Sequence, residues 1–193
     1  MTELAVFPLR VVLFPGGVLP LRIFEPRYLG MVSRCLKRDE PFVVVLALPG
    51  GEPGRLRCAA VGTTARIVDF GRAQDGLLTL RTMGEARVRL GPLQRATDGL
   101  AIAATEPMPD EAAVSLTAAD EALLSVLHQL LPDDAPELRG VPRRWDDAEW
   151  VSLRGAEQLP LELDERQQLL ECGDARARLD RLRPVAVALD SRA

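Results

Sequence analysis

Apolar and polar positions alternate with period two at residues 85–90. Ala86, Val88 and Leu90 fall on one face and Glu85, Arg87 and Arg89 on the other, the pattern of a strand with one dry and one wet side. Shorter apolar or alternating runs, separated by Gly, Pro and Asp, predict further strands at 4–7, 11–13, 18–24, 42–48, 57–60, 63–70, 77–82 and 100–105. That spacing suits an antiparallel sheet closing into a barrel or sandwich. Gln74-Asp75-Gly76 supplies a turn that joins 63–70 and 77–82 as a hairpin. One helix interrupts the strands. Pro26 is preset for a first helical position, and Tyr28, Leu29, Val32, Cys35 and Leu36 then recur opposite Arg27, Arg34, Lys37 and Arg38. This predicts an amphipathic helix of about three turns ending before Pro41.

After Pro107-Met108-Pro109 the period becomes helical. Thr117 with Asp120 three residues on is a capping-box pattern, and Leu123, Leu124, Leu127, Leu130 and Leu131 form an apolar stripe that stops at Pro132. Residues 132–142, with three prolines and Gly140, predict a loop. Further helices are expected at 147–158, 164–172 and 174–183, with Gly173 as a stop, Asp174 as a cap and Pro184 ending or kinking the last one. The predicted fold is therefore α+β: a mostly antiparallel β part with one inserted helix over residues 1–110, then a C-terminal α-helical bundle over 111–193.

Rare residues narrow the chemistry further. Lys37 is the only lysine and sits between Leu36 and Arg38, so no Gly-Lys-Ser/Thr phosphate loop can be built. The lone His128 and the scattered Cys35, Cys58 and Cys172 give no metal-ligand or redox spacing, so no metal and no cofactor is expected. Three separated cysteines fit reduced thiols and a cytoplasmic setting. The acidic start Met1-Thr2-Glu3, followed by Pro8, Arg10, Pro15 and Pro20, is neither a signal peptide nor a membrane span by pattern. Charge is uneven: residues 1–110 carry 14 basic and 11 acidic side chains, a net of +3, and residues 111–193 carry 10 and 17, a net of -7.

The run Val6-Phe7-Pro8-Leu9-Arg10, continuing through Phe14-Pro15-Gly16-Gly17 and Leu19-Pro20-Leu21-Arg22-Ile23-Phe24-Glu25-Pro26-Arg27-Tyr28, resembles the opening of the N-terminal domain of ATP-dependent Lon proteases. The similarity continues through Val61-Gly62-Thr63-Thr64-Ala65-Arg66, Gly84-Glu85-Ala86-Arg87-Val88, Leu159-Pro160-Leu161 and Gln167-Gln168-Leu169-Leu170-Glu171, and so covers nearly the whole chain. It implies a pseudouridine-synthase-and-archaeosine-transglycosylase-like (PUA-like) β-barrel followed by helices. It also implies a role in binding substrate proteins, with ATP hydrolysis and the Ser-Lys peptidase dyad belonging to later domains. No enzymatic activity is expected of the present residues. Where the family has a Ser-Pro helix start, this chain has Glu162-Leu163, a poorer cap, and Pro184 falls where the family helix runs on.

Candidate binding residues are Arg22, Phe24, Glu25, Arg27 and Tyr28, clustered where a strand hands over to a helix, and Trp145 and Trp150 beside the Asp146-Asp147 pair. Local pairing of Glu25 with an arginine, or a helical core around the tryptophans, explains the same residues structurally. His128 with Ser125 on the same helix face lacks an orienting acid and is not a catalytic candidate. Cys35 is expected to be buried and inert. Arg81, Arg87, Arg89 and Arg95 predict a solvated basic β-face, and this motivates an RNA-binding alternative. The aromatic content of 4% and the net charge of -4 count against it. The expected partners are proteins or peptides presenting exposed apolar or extended segments, taken up in a groove between barrel and helices or on an open sheet edge. Neither nucleic acid nor membrane is an expected partner, and the oligomeric state stays open.

Overall fold

A computed structural model describes residues 2–50, 56–109, 111–132 and 141–191. It divides into two compact units, Met1–Met108 and Pro109–Ala193. The chain is mixed α+β, with a seven-stranded sheet in the first unit and five α-helices among the described residues.

In the first unit β1 (Thr2–Leu9), β2 (Val18–Ile23), α1 (Pro26–Arg38), β3 (Phe42–Leu46), β4 (Val61–Arg72), β5 (Leu78–Leu90), β6 (Gln94–Arg95) and β7 (Ala101–Pro107) follow in chain order. The sheet order is β2-β5-β4-β3-β1-β7-β6, and β5 also pairs with β7, so the pairings run round a ring of five strands. All are antiparallel except β1 with β3, which is parallel and needs the intervening β2 and α1 as its crossover. The Asp75-Gly76 turn is present: Gly76 has φ 83°, and Asp75 Oδ1 accepts from Leu77 N–H at 3.2 Å. The turn joins β4 to β5.

Five expectations for this unit need correction. Residues 77–82 and 86–90 are one continuous strand, bent where β4 departs from register beside Thr64. There Ala86 N–H donates to Thr64 Oγ1 at 3.0 Å, which turns Ala86 outward and leaves Arg87 buried instead of solvated. Residues 11–13 form no strand. Val12, Leu13 and Phe14 are buried in a loop whose backbone is satisfied by Thr63 Oγ1 donating to Leu13 O and by paired bonds between Gly84 and Gly16 and Gly17. Residues 57–60 make only an isolated bridge, Ala47 with Cys58. On α1 the buried stripe is Tyr28, Met31, Val32 and Cys35, so Cys35 is covered as expected, while Leu29 and Leu36 flank the stripe and stay exposed.

The first helical turn of the second unit is started by Thr117. Its N–H and hydroxyl donate to Asp120 Oδ2 at 2.8 and 3.0 Å, starting a short 3-10 helix, Ala118–Asp120, that runs into α2 (Glu121–Leu130). The helices α3 (Ala148–Gln158), α4 (Leu163–Glu171) and α5 (Ala175–Asp190) follow; the loop expected at 132–142 falls mostly outside the described residues. The Asp147 side chain caps α3, and Asp174 caps α5. At the start of α4, Glu165 reaches back to accept from Glu162 N–H at 3.0 Å, so the cap is better than the residue types suggest. The helix α5 passes Pro184 and continues to Asp190, because Leu182 and Ala186 on either side of the proline are both fully buried. The side chains of Leu123 and Leu182 approach Gly155 closely enough to crowd any added Cβ.

Two buried charged side chains of this unit, Arg178 and Asp120, are matched by several partners each. Arg178, fully buried, donates to both carboxylate oxygens of Glu111 at 2.5 and 2.7 Å, to Cys172 O at 2.7 Å and to Ser152 Oγ at 3.0 Å. Asp120, also fully buried, accepts from Arg176 at 3.2 Å and Arg183 at 2.9 Å besides Thr117. Burial alone would raise the Asp120 carboxyl. The bonds from Thr117, Arg183 and Arg176 outweigh it and hold the group below the usual carboxylate range.

Two consequences can be measured. Replacing Asp120 by Asn removes the ion pairs and is expected to lower stability at pH 7 by roughly 2–3 kcal/mol, less than the ~3–5 kcal/mol of a fully buried pair because both arginines keep some exposure. The folded-state value is depressed, so the wild-type advantage is complete above the unfolded-state value of about 3.9 and fades as pH falls through the lower folded one; urea unfolding at pH 7 and pH 3 checks both. Gly84→Ala would drive its Cβ into the Phe14 carbonyl and is expected to cost about 1–3 kcal/mol, read as a lower thermal midpoint.

Candidate functional site

A cavity of about 590 Å³ opens in the first unit, within the range of ligand sites. Its position follows from β1. Along Thr2–Val6 this strand pairs with β7 on one side, ending at Val6 opposite Ala101, while on the other it stays paired with β3 through Leu9. Pro8 carries no N–H with which to prolong pairing toward β7, and the gap beyond Ala101 becomes the cavity, with Pro8 and Ala101 in its lining. The chain leaving β3 supplies Leu48, and the returning chain supplies Leu56, Arg57 and Cys58. Leu48 N–H donates to Arg57 O at 2.9 Å and Ala59 N–H to Leu46 O at 3.0 Å, which holds this wall in place. The β6–β7 hairpin adds Leu93, Gln94, Arg95 and Gly99, the last at φ 79° in the turn.

The first turn of α1 closes the remaining side with Arg27 and Tyr28. The Tyr28 ring is buried against Phe7, edge to face at 4.2 Å, and the Arg27 guanidinium lies 4.9 Å from the ring centre. Glu25 pairs with Arg27 at 2.6 Å. Both partners are about one-third exposed, so the pair is worth only ~0–1 kcal/mol; its effect is to fix where the guanidinium points. Burial is the largest influence on the Tyr28 phenol and raises it despite Arg27. Burial also pushes the Cys58 thiol up to about 11, so near neutral pH it is a thiol and a poor nucleophile. Among the described lining residues there is no Asp, Glu, His or Lys. The arrangement offers apolar surface and guanidinium donors.

The structure thus brings together three of the residues singled out in the sequence, Glu25, Arg27 and Tyr28. Arg22 projects from β2 and forms an exposed ion pair with Asp75 of the β4–β5 turn, and Phe24 is 67% exposed outside the cavity. Trp145 and Trp150 belong to the second unit. Trp150 is buried, and Trp145 lies between it and the exposed His128, at centroid distances of 4.9 and 4.0 Å. Ser125 donates to Asp190 at 2.8 Å, not to His128. The cavity residues Arg57, Cys58 and Leu93 are not singled out as a site by the sequence: Arg57 and Cys58 fall in the run expected to be a strand at 57–60, and Leu93 lies in a Gly-Pro connection. As for a sheet edge, β2 has β5 as its one partner strand among the described residues, but Pro20 at its centre lacks the N–H that an added strand needs.

Among the described residues no cluster of His, Cys, Asp and Glu could hold a metal ion, and no helix is long and apolar enough to cross a membrane.

Residues 3–185 match the family model of the ATP-dependent protease La (LON) substrate-binding domain. A solved structure described as a Lon N-terminal domain protein from Xanthomonas campestris is 35% identical and superposes with a TM-score of 0.78, covering 94% of this chain and 97% of that one. A Lon protease of Rhizobium meliloti (strain 1021) is 24% identical over 91% of this chain and 23% of its own length. Protein cereblon of Danio rerio is 31% identical over 52% of this chain and 24% of its own length. The chain therefore spans less than a quarter of each of these two curated relatives, and it belongs to the LON substrate-binding domain family.

Proposed function

We propose that this chain is a non-catalytic binding module that holds exposed apolar or extended segments of partner proteins, and that the cavity beside Arg27 and Tyr28 receives them. The observation that carries the reading is the chemistry of that cavity: half-buried Leu48, Leu56 and Leu93 around a preformed space, with guanidinium donors and no acid–base pair among the described lining residues. Membership of a substrate-binding family supports it. On this reading the ring of pairings in the first unit is a PUA-like β-barrel, and the chain is organised as a barrel subdomain over 1–110 and a helical bundle over 111–193. Glu25 then holds Arg27 at the cavity wall, Arg22 and Phe24 are contact candidates away from the lining, and Trp145 and Trp150 serve the helical core with Trp145 presenting a second contact surface. The setting is cytoplasmic. The RNA-binding alternative gains nothing from this site, since the one aromatic ring lining it, Tyr28, is covered by Phe7 and leaves no stacking platform.

The test is a fluorescence-anisotropy titration with a labelled, permanently unfolded polypeptide. Saturable binding is expected, weakened roughly tenfold by Leu93→Ser, the size of effect that follows from removing one apolar anchor, with the thermal midpoint little changed. Absence of saturation at both low and high salt overturns the reading.

A further inference from the structure

We propose that the exposed flank of α1, an apolar row of Phe24, Leu29 and Leu36 with Arg72 and Lys37 at its two ends, receives an acidic amphipathic helix of a partner protein. The surface is separate from the cavity, and none of these five residues lines that cavity.

The row follows from helical periodicity. Toward the sheet α1 presents Tyr28, Met31, Val32 and Cys35. On one flank of that stripe Arg34 reaches Asp98 of the β6–β7 turn at 3.3 Å. On the other flank lie Leu29, Ser33 and Leu36, at i, i+4 and i+7, the spacing against which a second helix packs. Leu29 and Leu36 are each 42% exposed, and the small Ser33 between them is exposed as well. Phe24 precedes the N-cap Glu25 and Leu29 is the fourth helical residue, positions whose side chains lie side by side. Phe24 therefore extends the row. On the sheet, Arg72 pairs with Leu78 and Leu78 with Ile23. Paired residues share a face, so Arg72 stands on the same face as the buried Ile23 that α1 covers, near the Phe24 end of the row.

Charge selects the occupant. The helix α1 holds four cations, Arg27, Arg34, Lys37 and Arg38, and no acid. The acids that adjoin it are taken, Glu25 by Arg27, Asp39 by Arg66 and Glu40 by Arg38, and Asp75 of the β4–β5 turn is taken by Arg22. Lys37 and Arg72 are exposed and have no acidic partner among the described residues. A second copy packing the same row across a two-fold axis would set these cations against their own kind, so an acidic partner is the complementary one. A strand added along the outer half of β4 is opposed by the register shift between Ile67 and Asp69 and by Asp69 Oδ1, which already accepts from Phe70 N–H at 2.8 Å. A helix laid along α1 meets neither obstacle.

Three labelled peptides of about 18 residues, long enough to form a helix, test the proposal by anisotropy against the full chain. All carry leucines at i, i+4, i+7 and i+11; one has glutamates beside them, one has lysines, and one is the glutamate peptide with a central proline that breaks the helix. The helical glutamate peptide is expected to bind saturably, about tenfold more tightly than either of the others, with its advantage over the lysine peptide shrinking as salt rises. The double variant Leu29→Gln, Leu36→Gln should weaken it at least about tenfold, with the thermal midpoint little changed because both side chains are exposed. The double variant Lys37→Glu, Arg72→Glu should invert the order, so that the lysine peptide binds more tightly; loss of the fold cannot produce an inversion. A lysine peptide that binds the unaltered chain equally well, an order that does not invert, or no binding by any peptide overturns the proposal. Equal binding of the proline peptide overturns it in favour of an extended segment, displacement by phosphatidylserine vesicles in favour of a lipid surface, and a sedimenting dimer that Leu29→Gln, Leu36→Gln abolishes in favour of a second copy. Each of these failures leaves the role proposed for the cavity standing.

Discussion

The placement of β1 between β3 and β7 is the constraint from which the site follows. A strand paired in parallel on one side needs a long crossover, and here β2 and α1 supply it. The crossover puts the first turn of α1 near the end of β1, where Tyr28 packs on Phe7. On the other side the antiparallel pairing with β7 stops at Val6, two residues before a proline that cannot extend it. One strand therefore does two things. Its first half closes the sheet, and its second half, bonded to β3 alone, leaves a space that the sheet does not fill.

The polar groups fit that division between scaffold and opening. In the second unit buried charges are paired, as with Arg178 against Glu111 and Asp120 against Arg176 and Arg183. An unmatched buried charge there would cost several kcal/mol. At the cavity Arg57 is bonded to the neutral carbonyls of Pro49 and Gly50, and Glu25, outside the lining, meets Arg27. Contacts of this kind at partly exposed arginines carry little stability and serve to orient the guanidinium groups.

Much of the scaffold was legible in the sequence, for reasons tied to particular residues. Asp75-Gly76 between alternating runs marked the β4–β5 hairpin, and Pro26 with the Tyr28, Val32, Cys35 spacing marked α1, because turn chemistry and helical periodicity are local. The loop around Val12, Leu13 and Phe14 was read as a strand since its composition is that of one. Only the distant Thr63 and Gly84 show that its backbone is satisfied elsewhere. Thr117 and Asp120 announced a cap, but nothing local revealed that Asp120 also gathers two arginines from α5. The site was half visible. Arg27 and Tyr28 stand out at a strand-to-helix junction, whereas Arg57 falls in the strand-like run 57–60 that makes only an isolated bridge, Leu93 lies in a connection without periodicity, and Arg95 sits on β6 although Arg81, Arg87 and Arg89, with which its charge groups it, sit on β5.

Backbone amide chemical-shift mapping of the isotopically labelled chain, with an unfolded apolar peptide added stepwise, tests the central claim that this cavity is the receptor. The account predicts that the largest shifts gather at residues 27–28, 48, 56–58 and 93–101. Shifts concentrated around Trp145 and α3, or spread without focus over both units, would contradict it.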